Sequence, residues 1–437
     1  MIIVNDSVTA MITRTSPPPR RRGLRLAGAA AAPVLLLALT ACASPGGQAP
    51  AAQPETETEP AARELAAPRL VASYDGGLLV LEGDTLEVAA ELELPGFLRV
   101  NPAGDGRHVL VSTDAGFRVL DTGLEAEQHG DHAHYYGETP QLTELVFEAD
   151  HPGHVTTNDG VTALFADGTG EVQLFEASGL ADAVAAGGLE TLELRTHESA
   201  AAHHGVAVAL PGGAVLATLG TEETRTGVAV VDASGAELAR DERCPGVHGE
   251  TVAAGGAIVV GCQDGALVFR DGAFTKVASP DTYGRIGTQA GSPESAVVLG
   301  DYKADAEAEL ERPTRVSLVD TEAGALRLVE LGTSYTFRSL ARGPHGEALV
   351  LGTDGAIHVI DPAAGAVTAT IPVLHEWTEP LDWQQARPAL RVDGHRAYVT
   401  DPAASTVHLV DLDAGEVVES VKLPAAPIEL STVAAAH

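Results

Sequence analysis

Aromatic side chains make up only 4% of the 437 residues, and lysine is confined to Lys276, Lys303 and Lys422. A core in such a chain must come from small and branched aliphatics. The 45% hydrophobic content supplies enough of them to exclude wholesale disorder. Three cysteines are too few for a thiolate-built zinc scaffold. Lys and Arg number 27 against 61 Asp and Glu, a formal net charge of -34. That excludes the basic surface that neutralises nucleic-acid phosphates, so no nucleic-acid partner is expected. The chain also lacks a Gly-X-Ser-X-Gly elbow, a P-loop, a dinucleotide fingerprint and a Cys-X-X-Cys-His haem attachment. Its many Asp-Gly pairs lack the spaced acidic ladder of a calcium loop and read as hairpin turns.

What is there begins with an address. Arg20, Arg21, Arg22 and Arg25 precede an apolar Ala- and Leu-rich run over residues 24–39, too short for a first-choice membrane span. It ends at Leu39-Thr40-Ala41-Cys42, which resembles a bacterial lipobox. Residues 1–41 are therefore read as a lipoprotein signal peptide and Cys42 as the lipidated first residue of the mature chain. A cleaved secretory signal with a coincidental cysteine is the alternative. Residues 42–68, rich in Pro, Ala and Glu, form a disordered tether. The expected location is the outer face of the cytoplasmic membrane, held by lipid alone.

Residues 69–437 repeat one theme. Short apolar-polar alternations of four to eight residues are cut by Gly, Asp and Pro turns. Only residues 181–188 suggest a helical turn. The period, roughly 40–50 residues with four strands, is that of propeller blades. Inner strands are placed at residues 97–100, 143–147, 206–209, 251–254, 285–288, 338–341 and 390–392. The three-stranded start and a lone last strand at 428–433 share a blade and close the ring. The fold class is all-β, a single eight-bladed β-propeller, with seven blades as the alternative.

A propeller does not specify a function, so the histidines carry the reading. Ten of the 16 lie between His108 and His248. In His129-Gly130-Asp131-His132-Ala133-His134, residues two apart in an extended segment face one side, so His132 and His134 can share one ion. His203-His204-Gly205 and Cys244-Pro245-Gly246-Val247-His248-Gly249-Glu250 each precede an inner strand, at equivalent places in neighbouring blades. The expected metal site joins His132 and His134 to His204 and His248, with His129, Asp131, His203 and Glu250 as further candidates. Histidines hydrogen-bonded to blade turns are the plainer reading. Cys244 and Cys262, with 17 residues between them, are expected to form a disulfide in an exported chain, with two free buried thiols as the alternative.

The segment Gly130-Asp131-His132-Ala133-His134-Tyr135-Tyr136, the His203-His204-Gly205 motif and the block from Cys244 to Cys262 together resemble the AztD-type zinc metallochaperones, exported partners of zinc ABC importers. The resemblance covers essentially the whole propeller. It implies a β-propeller that binds Zn2+ through its His-rich sites and hands it to the importer's solute-binding protein; the chain is expected to be a monomer and not an enzyme. The lipobox departs from the periplasmic setting usual in that family. Two other classes remain in view: a protein-binding scaffold with incidental histidines, and a metal-dependent hydrolase or lactonase with Glu250 or Asp131 as general base.

Overall fold

The strand Gly77–Leu81 shows how the chain builds its core. Successive side chains on a strand point to opposite faces. Leu78 and Val80 enter one apolar cluster, and Leu79 and Leu81 enter the next. Both faces of the sheet are thus covered, and each fully buried aliphatic contributes about 1.5–3 kcal/mol. The same device recurs around the ring: eight apolar clusters fill the eight gaps between neighbouring sheets.

The computed structural model describes residues 63–129 and 132–433, with the backbone alone at 128, 129 and 132. All belong to the second of two units into which the chain divides, Met1–Thr58 and Glu59–His437. The signal peptide and Cys42 lie outside the described residues. The eight blades are antiparallel and four-stranded, with Gly284–Arg285 added in parallel to one of them. The first seven cover residues 99–148, 152–198, 207–241, 248–278, 289–330, 340–372 and 390–422. The eighth joins the C-terminal strand Pro427–Thr432 to Leu70–Tyr74, Gly77–Leu81 and Val88–Glu93, which closes the ring as the sequence predicts.

The first strand of each blade lies innermost, around a central channel, and the outermost strands Ala366–Pro372 and Glu416–Lys422 are largely exposed. The suggested helical turn is the helix Leu180–Ala186, ended by Gly187 in the left-handed region.

Two inner strands differ from the sequence reading. Residues 143–147 belong to Gln141–Glu148, the outermost strand of the first blade. The inner strand of the second blade is Pro152–Asn158. Its composition hides it: Thr156 and Asn158 donate hydrogen bonds to the carbonyls of Ala207 and Ala209 in the next blade, so polar residues stand where alternation anticipates apolar ones. In the fifth blade the inner strand is Gln289–Ser292, just after the anticipated 285–288.

The histidine-rich segment is a hairpin, Leu124–His129 and His132–Gly137, inserted between the third and fourth strands of the first blade rather than between two blades. Arg63–Leu65, placed by the sequence reading in the tether, pairs with it as a third strand.

Candidate metal centre

Strand order fixes which face each histidine occupies. In an antiparallel blade the inner strand starts at one face, and the connection between the third and fourth strands opens at the other. The inner strands His248–Ala253 and Ala207–Ala209 place His248 and the preceding His204 at the starting face. His154, third residue of Pro152–Asn158, stands beside them. Nitrogen atoms of His154, His204 and His248 lie within 4.8 Å of one another. The ring centroids are 5.0 Å apart for His204–His248, 5.1 Å for His154–His204 and 5.6 Å for His154–His248.

Each ring is oriented through its Nδ1. His204 Nδ1 lies 2.6 Å from Asp167 Oδ2, His248 Nδ1 2.6 Å from the Gly287 carbonyl, and His154 Nδ1 3.4 Å from Glu250 Oε1. Such outer partners set the tautomer of metal-binding imidazoles and leave Nε2 free. The His248 backbone is shaped for this by a β-bulge at Gly249, which has φ +69°. A Cβ there would stand 2.6 Å from the same Gly287 carbonyl that holds His248.

The hydrogen bonds assign the protons. His248 must donate Nδ1–H to a carbonyl, so its neutral ring carries a lone pair on Nε2. Burial, reinforced by the proximity of His154, Arg285 and His204, holds this imidazole well below the usual histidine range, which keeps it neutral. A neutral His204, its Nδ1–H donated to the Asp167 carboxylate, would present the same lone pair. The two Nε2 atoms face each other at 3.1 Å. Two lone pairs at that distance repel unless a proton or a metal cation lies between them. Bonds of 2.0–2.1 Å to a tetrahedral zinc would hold neighbouring nitrogens about 3.3 Å apart, so the spacing fits a cation. Three imidazoles leave one tetrahedral position open.

The cluster lines a channel cavity of about 1190 Å3. Glu250 lies in the same wall, as does Arg285, whose charge reaches His248.

The sequence-predicted residues fall into three groups. His204, His248 and Glu250 are brought together. His203, 2% exposed, is engaged elsewhere: its Nε2 lies 2.9 Å from Thr218 Oγ1 and its Nδ1 2.9 Å from the Ala201 carbonyl. His134 lies on the inserted hairpin, at the opposite face, with Nδ1 3.9 Å from Glu64 Oε1. The neighbouring Tyr135 feels the charges of Asp393 and Arg396, which flank an inner-strand turn at that face. The hairpin therefore does not join His204 and His248, because its insertion point is on the wrong side of the blade. The side chains of His129, Asp131 and His132 lie outside the described residues. Sequence reasoning missed His154 and Asp167. The only signal for His154 was its place in an unusually polar strand, and for Asp167 its place in a blade turn.

Cys244 and Cys262 form the expected disulfide, with Cα atoms 4.9 Å apart. It ties the start of the fourth blade, and with it the approach to His248, to the neighbouring strand Ala257–Cys262.

No protein-family profile matches the chain. Among curated proteins it is 26% identical to the zinc chaperone AztD of Citrobacter koseri, over 72% of this chain and 73% of that protein. The crystal structure of Citrobacter koseri AztD superposes with a TM-score of 0.71 at 23% identity, covering 84% of this chain and 97% of that one. Its apo structure gives the same TM-score at 21% identity. The dihydro-heme d1 dehydrogenase NirN shares the fold more distantly, with a TM-score of 0.54 at 12% identity. The resemblance to the AztD type read from the residues is thus met in sequence, and its propeller in structure.

Proposed function

We propose that this chain is an extracytoplasmic zinc chaperone, which holds Zn2+ through His154, His204 and His248 and passes it to the solute-binding protein of a zinc ABC importer. The observation that carries the reading is the set of three imidazoles with ring nitrogens within 4.8 Å of one another, each with an Nδ1 partner, and with the Nε2 atoms of His204 and His248 facing each other. Rigid outer partners favour tight binding, and the open fourth position supports release by ligand exchange. An incoming acceptor group enters that position before any protein ligand leaves. His204, with 39% of its side chain exposed against 18% for His154, is the ligand it displaces first. The curated relative's name supports zinc as the cargo.

Export and lipid anchoring at Cys42 belong to the same reading. Among the described residues no helix is long and apolar enough to cross a membrane. A chaperone fixed to the outer leaflet would meet its acceptor within the reach of its tether.

The test is a zinc titration of the mature chain, followed by mixing with the solute-binding protein. Handover predicts that zinc reaches the acceptor faster than it dissociates into a chelator. Appearance only at the free dissociation rate would make the protein a store or a sensor. No zinc uptake would favour the scaffold reading.

A further inference from the structure

The blade turns at the opposite face hold a second group of metal-ligating side chains. His345 lies in the turn between Leu340–Arg342 and Ala348–Leu351 of the sixth blade. His395 occupies the equivalent turn of the seventh, between Leu390–Asp393 and Arg396–Asp401. Asp413 follows the third strand of the seventh blade and opens at the same face. One ligand atom from each lies within 4.8 Å of the others. His395 Nδ1 is 2.8 Å from Asp413 Oδ2, and the two imidazole rings stand 5.5 Å apart at 72°. From these residues we infer a second, weaker divalent-cation site, a His-His-Asp set that bridges the sixth and seventh blades at the far mouth of the channel.

The turns that carry the ligands are held by the backbone. The Gly343 N–H donates to the Glu347 carbonyl, the Gly346 N–H to the Gly343 carbonyl, and the His345 N–H to Glu347 Oε2. Gly346 and Gly394, next to the two histidines, take φ of +87° and +54°. The Leu412 N–H donates to the His395 carbonyl, which ties that turn to the one bearing Asp413. Gly343, Pro344, Asp393 and Gly394, from the same two turns, also line the channel cavity. The site therefore stands beside that cavity, at the end remote from His154, His204 and His248.

Two imidazoles and one carboxylate suit zinc, with water completing the coordination. All three side chains are exposed, so water competes for each ligand, and the one carboxylate beside a ring, Asp413 at His395, is itself a ligand rather than a separate orienting partner. The affinity is accordingly lower. The two sites use different residues on different faces, so this inference stands apart from the proposed chaperone function.

Zinc titration of the full chain and of His345→Ala/His395→Ala, with His204→Ala as the reciprocal variant, tests it. The wild type is expected to bind two equivalents, one tight and one at least tenfold weaker. The double variant should lose the weaker equivalent alone and keep its melting temperature, since the substituted side chains are exposed. His204→Ala should lose the tight equivalent alone. A double variant that retained both equivalents would overturn the inference, as would a wild type that binds only one. A wild type that binds none would overturn the chaperone reading as well. Anomalous diffraction at the zinc edge gives an independent readout: a peak between His345, His395 and Asp413 is expected, and density only elsewhere contradicts the site.

Discussion

At the face where the inner strands begin, three imidazoles converge with each Nδ1 already committed to Asp167, Glu250 or the Gly287 carbonyl. At the opposite face, His345 and His395 meet in exposed turns, and among the described residues only His395 of the two has an ionic partner, Asp413. Both clusters bring histidines together across neighbouring blades. They differ in what surrounds the rings. The first has its tautomers fixed before a cation arrives, whereas the second must order its side chains during binding. The comparison teaches that proximity of imidazoles makes a site, and the partners of their other nitrogens set its strength.

The sharpest break is His204→Ala, which removes a ligand and leaves His248 without its facing nitrogen. Zinc affinity at the first cluster should fall by more than about 100-fold, beyond the usual effect of losing an outer partner. Competition against a chelator of known affinity reads this. Next is the disulfide. Cys244→Ser with Cys262→Ser should lower the unfolding free energy by about 3 kcal/mol, as expected for closing a loop of this length, measured by denaturant titration under oxidising conditions. Asp167→Asn keeps the shape but withdraws the carboxylate from His204. About 10–100-fold lower zinc affinity is expected, with the stoichiometry kept.

Acidity gives a smaller, graded effect. The folded-state pKa of His248 is depressed below that of the unfolded chain. The unfolded chain therefore binds more protons below the ordinary histidine value of about 6.5. The neutral-ring contribution to stability is complete above that pH and is lost as pH falls toward the folded-state value. Denaturant midpoints of the zinc-free protein between pH 7.5 and 5 should decline on the acidic side, and His248→Gln should flatten that slope. The smallest effect is expected from His134→Ala. It lies on the hairpin at the other face, so affinity at the first cluster should stay within twofold.

Much of this was legible in the chain. The Gly- and Asp-punctuated alternation announces eight blades because each strand packs on both faces, as Leu78 to Leu81 do. Cys244 and Cys262 could be paired from compartment and spacing. His204 and His248 were visible because each precedes an inner strand. The rest was hidden for physical reasons. His154 sits in a strand whose polar side chains bond to the neighbouring blade, so no alternation marks it. His132 and His134 read as partners of His204, because a sequence does not reveal that their hairpin is inserted after a third strand, at the other face. His345 and His395 are far apart in the chain and meet because adjacent blades repeat the same turn, and Asp413 reaches them from the next turn at that face of the seventh blade.

The central claim is that His154, His204 and His248 form the tight zinc site, and His154 tests it best because only the fold places it there. Zinc affinity of His154→Ala, measured against a competing chelator beside a His132→Ala/His134→Ala variant, decides the matter. The account predicts that His154→Ala loses tight binding by more than about 100-fold while the hairpin variant keeps it. Unchanged affinity in His154→Ala, with loss in the hairpin variant, would contradict it.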